Sequence, residues 1–137
     1  MSNSKTILFI DDEIICHKVL SLMASNQDCY KFIHAYSASE ALNIIKKRYS
    51  EISIIVSDIS MDDCSGHELF KKLQQNPKFK NIPFILQSGL TSDAEEITFQ
   101  KNITIPIIYK PYKIEELIKL IDKVTNSNEA VNAALEC

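Results

Sequence analysis

Apolar positions along the chain gather into five short, nearly continuous runs separated by segments of longer period. The runs are Thr6-Ile7-Leu8-Phe9-Ile10, Tyr30-Lys31-Phe32-Ile33-His34-Ala35-Tyr36, Ile54-Ile55-Val56, Ile82-Pro83-Phe84-Ile85-Leu86-Gln87 and Ile103-Thr104-Ile105-Pro106-Ile107-Ile108-Tyr109. Most are rich in β-branched residues, and they predict strands buried on both faces, as in a parallel sheet. Proline stands at the start of the fourth run, where a strand tolerates it.

The intervening segments carry helical spacing. Residues 14–24 place Ile14, Ile15, Val19, Leu20, Leu22 and Met23 on an approximate single face. Ser37 with Glu40 is a capping box that opens a helix through Ala41, Leu42, Ile44 and Ile45. Residues 61–65 form a polar loop whose turn Gly66 permits, and a helix with Leu69, Phe70 and Leu73 runs over 67–75. Ser92 with Glu95 is a second box, predicting a helix of low hydrophobicity to about Lys101. A last helix over 114–124 presents Leu117, Ile118, Leu120 and Ile121. Five strands alternating with five helices over short connections predict a parallel sheet covered on both faces by right-handed crossovers.

Length and composition narrow the class. A chain of 137 residues is expected to form one domain, here residues 1–125, with residues 126–137 as a tail that either extends the last helix or is disordered. A net charge of −3 with no basic stripe gives no reason to expect nucleic-acid binding. No apolar segment reaches membrane-span length, and the N-terminus has no apolar signal core. Cysteines at 16, 29, 64 and 137 show no zinc spacing, so free thiols and a cytoplasmic location are expected.

The chemistry lies at the strand ends. The first run is followed by Asp11-Asp12-Glu13 and the third by Ser57-Asp58, while Ser88 and Lys110 end the fourth and fifth. In a doubly wound sheet these four features share one rim, where such folds place their ligands. Three carboxylates so close repel one another unless a cation joins them. Mg²⁺ suits the set, because it takes oxygen ligands, one or two carboxylates and several waters. Asp58, ending the central strand, is the candidate for a carboxylate oxygen left free to attack phosphorus. Lys110 would then neutralise charge on the phosphoryl oxygens, and Ser88 would donate a hydroxyl.

Ile-Leu-Phe-Ile-Asp11-Asp12-Glu13, Val-Ser-Asp58-Ile-Ser-Met61 with Gly66, Gln-Ser88-Gly89 and Tyr109-Lys110-Pro111 together resemble the receiver domain of two-component response regulators, in the chemotaxis-regulator-like, stand-alone form. The resemblance runs from about Lys5 to Val124. It implies a flavodoxin-like (βα)5 fold, a doubly wound parallel five-stranded sheet in the order 2-1-3-4-5 with helices on both faces. It implies Asp58 as phospho-acceptor, with Asp11, Asp12, Asp58 and the main-chain carbonyl of Ser60 around Mg²⁺, or Mn²⁺ in its place. Ser88 becomes the switch hydroxyl and Lys110 the family's lysine. The phosphodonor is a sensor histidine kinase or a histidine phosphotransfer protein. Output is expected by binding a downstream protein at the face of the fourth helix, fifth strand and fifth helix, as a monomer or a phosphorylation-dependent dimer, with no nucleic acid or membrane involved.

The chain also departs from the family pattern. Asp62 and Asp63 follow Met61 where proline is usual, adding acids near the pocket. Ile107 stands at the usual aromatic switch position, and Tyr109 is expected on the opposite side of the strand alternation. The three histidines, His17, His34 and His67, are expected to lack one another and to be surface or internally satisfied groups.

Other classes fare worse. A phosphatase of the haloacid dehalogenase type needs an acid two residues after its nucleophile, and Ser60 occupies that position. A flavodoxin-like cofactor binder needs a phosphate-cradling first loop, and Asp11-Asp12-Glu13 repels phosphate. A receiver fragment of a hybrid histidine kinase, or a receiver that only binds partners, remains as an alternative. The ordinary start at Met1 favours the stand-alone form, and the intact Asp12, Asp58, Ser88 and Lys110 argue against the binding-only one.

Overall fold

A computed structural model describes residues 4–89, 96–99 and 103–136. In chain order the elements are β1 (Lys5–Ile10), α1 (Ile14–Met23), β2 (Tyr30–Ala35), α2 (Ala38–Arg48), β3 (Ile54–Asp58), α3 (Gly66–Gln74), β4 (Phe84–Ser88), β5 (Glu96–Phe99), β6 (Ile103–Tyr109) and α4 (Ile114–Glu136). The sheet order is β2-β1-β3-β4-β6-β5. Five of these strands are parallel and reproduce the expected 2-1-3-4-5 order, with β6 as the fifth. This is the flavodoxin-like arrangement.

The sixth strand was not expected. β5 pairs antiparallel with β6, from Glu96 opposite Pro106 to Phe99 opposite Ile103. It lies where a helix from Ser92 to Lys101 is predicted; the capping box itself, 92–95, and Lys101 fall outside the described residues. The sequence Glu96-Ile97-Thr98-Phe99 explains the difference, because β-branched and aromatic residues fit a pleated edge better than a helix surface. The described helices therefore number four, and an edge strand stands where the output face was expected to have a helix.

Strand alternation divides the core into two layers. Leu8, Ile10, Ile55, Leu86 and Ile105 face Ala41 and Ile45 of α2 and Leu69 and Leu73 of α3. Ile7, Phe9, Ile54, Val56, Ile85 and Ile108 face Leu20 of α1 and Ile114, Leu117 and Ile121 of α4. Fully burying a side chain of this size contributes roughly 1.5–3 kcal/mol, so a sheet apolar on both faces needs helices on both. β3 and β4 are buried at every residue, as their uninterrupted apolar runs require.

Two elements differ from their predicted faces. On α1 only His17 and Leu20 are buried, while Ile14, Ile15, Val19 and Leu22 point outward and Leu22 is 77% exposed. On β6, Ile105 and Ile107 pack toward α2 and α3, and Ile108 packs toward α1 and α4. Residues two apart on a strand share a face, so Tyr109 lies on the side of Ile107 and not opposite it. Its hydroxyl is buried and meets no hydrogen-bond partner among the described residues.

Caps fix the helix starts near the site. Ser37 Oγ accepts the Glu40 N–H at 3.0 Å, and Ser65 Oγ accepts the Glu68 N–H at 3.1 Å. Gly66 opens α3 without a positive φ. Its glycine is demanded by space: a Cβ there would lie 2.5 Å from the Asp58 carbonyl oxygen and 2.8 Å from Leu86 Cδ2. α4 runs on through residue 136.

Candidate functional site

The parallel register brings the strand ends level. Ile10 pairs with Ser57 across β1 and β3, Asp58 pairs with Gln87 across β3 and β4, and Ser88 pairs with Tyr109 across β4 and β6. The residue after β1 is thus Asp11, beside Asp58, and the residue after β6 is Lys110, beside Ser88. Ligand oxygens of Asp11, Asp12 and Asp58 lie within 4.8 Å of one another. Hard oxygen donors of that number and spacing fit a divalent cation such as Mg²⁺. Ser60 is exposed on the loop after β3, and the Ser88 side chain is buried.

Asp11 is fully buried and held from several sides. Its Oδ1 accepts the Glu13 N–H at 2.9 Å. Its Oδ2 accepts from Lys110 Nζ at 2.8 Å and from Gln87 Nε2 at 3.3 Å. Lys110 also reaches Asp58 Oδ2 at 3.6 Å, so one ammonium sits between two carboxylates. The Lys110 N–H donates to the Ser88 carbonyl at 2.7 Å, and the Lys110–Pro111 peptide is cis. Asp12 Oδ2 accepts the Asp62 N–H at 3.1 Å, tying the β3–α3 loop to the pocket.

Electrostatics follow from this crowding. Burial pushes the Asp58 carboxyl up to about 6; Lys110 opposes the rise, and Asp11 and Asp12 add to it. Burial alone would lower Lys110, but the hydrogen bond and charge of Asp11, with Asp58, raise it above its ordinary value. Cys16 packs beside them, its Sγ 3.6 Å from Lys110 Nζ. Burial, reinforced by Asp11, raises that thiol to about 11, so it stays protonated at neutral pH.

The two extra acids of the loop do different things. Asp63 turns away from the pocket, and its carboxylate accepts the N–H groups of Ala38 and Ser39 at 3.1 and 2.9 Å. Burial works to raise its carboxyl, but these bonds and that from Cys64 hold it below the usual range. It is a second cap for α2, supplied from another loop.

The histidines also correct the expectation. His17 on α1 and His34 on β2 meet, with Nδ1 atoms 2.7 Å apart, and His17 Nε2 lies 2.8 Å from the Asp11 carbonyl oxygen. A carbonyl only accepts, so His17 donates to it from Nε2, and in the neutral ring its Nδ1 accepts from His34 Nδ1. Burial, then the neighbouring His17, lowers His34. Both are internally satisfied, as a buried polar group must be.

Three neighbours of the site carry no role in the sequence reading: Gln87, Tyr112 and Cys16. Tyr112 donates its hydroxyl to Gln87 Oε1 at 2.8 Å. The available signal was a lone amide at a core-facing position of β4, two residues after Ile85.

Residues 7–122 match the family model of the response regulator receiver domain. Among curated relatives, the sensor kinase CckA of Brucella abortus is 26% identical over 94% of this chain, which spans 13% of that protein. The chemotaxis protein CheY homologue of Campylobacter jejuni is 23% identical over 93% of this chain and 98% of its own length. Among solved structures, a response regulator from Chloroflexus aurantiacus superposes with a TM-score of 0.78 at 22% identity, covering 90% of this chain and 98% of that one. A match of that extent, over a sheet whose strand ends gather three acids and a lysine, makes this chain a member of the response regulator receiver domain family.

Proposed function

We propose that the chain is a phosphorylation switch of a two-component system, taking a phosphoryl group onto Asp58 from a histidine kinase or a histidine phosphotransfer protein in the cytoplasm. The single observation that carries this reading is Lys110 poised between Asp11 and Asp58, at 2.8 and 3.6 Å, beside a three-carboxylate cluster. Asp11, Asp12, Asp58 and the Ser60 carbonyl are the groups that would hold Mg²⁺. When bound, the ion would neutralise charge on the phosphoryl oxygens.

The protein's own groups do the rest. Asp58, with a carboxyl near 6, is mostly ionised at neutral pH and keeps its basicity as a nucleophile. Its oxygen attacks phosphorus, the O–P bond forms, and the P–N bond of the donor breaks with its electron pair returning to the imidazole. Lys110 moves from Asp11 toward the phosphoryl oxygens, and the Ser88 hydroxyl donates to another. That new set of bonds favours one member of a pre-existing conformational pair and so alters the surface seen by a downstream protein. The edge of β5 and β6 with α4 is the surface we assign to output. The exposed apolar residues of α1, Ile14 and Ile15 foremost, directly follow the acid cluster and suit a docking helix of the phosphodonor. We take residues 1–125 as the receiver and 126–137 as an appended tail.

Transfer from a labelled histidine phosphotransfer domain tests the reading. Label should move to this chain only with Mg²⁺ and stop on chelation. Label that stays on histidine under every condition, with this chain folded, would sink the proposal.

A further inference from the structure

Gln87 is a fully buried amide on β4, on the side of the strand where Ile85 packs against α1 and α4. Burying an amide is costly unless both of its ends are bonded, and an apolar residue of similar volume would fill the space without that cost. Both ends of Gln87 are bonded, and both bonds lead to the site. Nε2 donates to Asp11 Oδ2 at 3.3 Å, and Oε1 accepts the Tyr112 hydroxyl at 2.8 Å. The orientation is fixed by chemistry: a carboxylate only accepts, so the NH2 end must face Asp11 and the oxygen must face Tyr112.

Asp11 Oδ2 is shared between Gln87 and Lys110. Transfer of a phosphoryl group to Asp58 draws Lys110 away, and Asp11 then stands buried without its ammonium partner. Oδ1 keeps the Glu13 N–H, and on Oδ2 Gln87 is the donor that stays. We propose that Gln87 is a positioning residue that keeps the Asp11 carboxylate oriented for the divalent cation through the whole cycle, with Tyr112 locking the amide. The inference rests on the phosphoryl-transfer reading above and deepens it.

The test uses the full chain as wild type, Gln87→Met, Tyr112→Phe and the double variant. Mg²⁺ affinity is measured by calorimetry, the phosphorylation rate constant with a small-molecule phosphodonor at saturating Mg²⁺, and folding by thermal unfolding. Groups that orient a metal's ligands typically affect affinity by 10–100-fold, so Gln87→Met should weaken Mg²⁺ binding about 10-fold. Tyr112→Phe should weaken it about threefold, the loss of one hydrogen bond. The double variant should match Gln87→Met, because Tyr112 acts only through the amide. Wild-type affinity and rate in a folded Gln87→Met would overturn the role, as would a full, additive effect of Tyr112→Phe in that background. If Gln87→Met does not fold, Tyr112→Phe decides alone: a threefold loss supports the role and an unchanged affinity ends it. A wild type that neither binds Mg²⁺ nor accepts a phosphoryl group removes the receiver reading and this inference together. A wild type that does both, insensitive to Gln87, removes the inference only.

Discussion

Replacing Asp58 by Asn should stabilise the metal-free protein, and the structure sets the size of the effect. Asp58 is 8% exposed, and its carboxyl is raised from 3.8 to about 6 by burial and by Asp11 and Asp12, against the pull of Lys110. Ionising it in the folded state is therefore harder than in the unfolded chain. Wild type loses stability as pH rises from the unfolded value toward 6, and the loss is complete above that. About two pKa units at roughly 1.4 kcal/mol each give an upper figure of about 3 kcal/mol. Screening by solvent at the rim reduces this to about 1.5 kcal/mol. At roughly 4 °C per kcal/mol for a domain of this size, Asp58→Asn should raise Tm by about 6 °C near neutral pH in chelator. The assay is thermal unfolding followed by far-UV circular dichroism across a pH series. The gain should shrink steadily below about pH 6 and be small near pH 4, where wild-type Asp58 is also neutral. Mg²⁺ should narrow the gap as well, because an ion held only by the native wild type would stabilise it. A variant no more stable than wild type above about pH 6, or a gain independent of pH, would refute the reasoning.

Other substitutions probe the frame around the pocket. Gly66→Ala should cost about 1–3 kcal/mol in denaturant unfolding, because its Cβ meets the Asp58 carbonyl oxygen at 2.5 Å. Gly89→Ala meets nothing within 4 Å and has no positive φ, so it should gain about 0.4–1 kcal/mol through the unfolded chain. Asp63→Ala removes the cap that the β3–α3 loop supplies to α2 and should cost about 1 kcal/mol, read by the same unfolding curves. Asp122 accepts from Lys5 Nζ at 2.9 Å and from the Tyr30 hydroxyl at 2.8 Å, and these partners outweigh burial and hold its carboxyl low. Its removal as Asp122→Ala should cost about 1 kcal/mol at neutral pH. That cost should fade as pH drops below the ordinary carboxylate value and through the lowered folded one, seen as converging Tm curves.

Much of this architecture was legible because strand-like apolar runs and helical spacing are local signals. The five parallel strands and the gathering of Asp11, Asp12, Asp58, Ser88 and Lys110 at one rim follow from where each run ends. What escaped depended on neighbours. The Ser92–Glu95 spacing suggested a helix cap, but Ile97 and Phe99 supply strand preference and β6 offers an edge to pair with. Gly66 reads as a turn residue, yet what it avoids is the backbone of Asp58, which is close only once α3 is packed. Asp63 reads as an extra pocket acid, yet its partners, Ala38 and Ser39, lie some 25 residues earlier in the chain. His17 and His34 are neighbours only because α1 packs beside β2. Gln87 stands in the Gln-Ser88-Gly89 motif with no role of its own there, and only the fold shows that its amide faces Asp11.

The central claim is that Asp58 carries the phosphoryl group. Intact mass of wild type and Asp58→Asn, after incubation with a small-molecule phosphodonor and Mg²⁺, tests it most directly. One phosphoryl adduct is expected on wild type, dependent on Mg²⁺ and absent from the folded variant. An adduct that survives the substitution, or none on wild type under any condition, would contradict it.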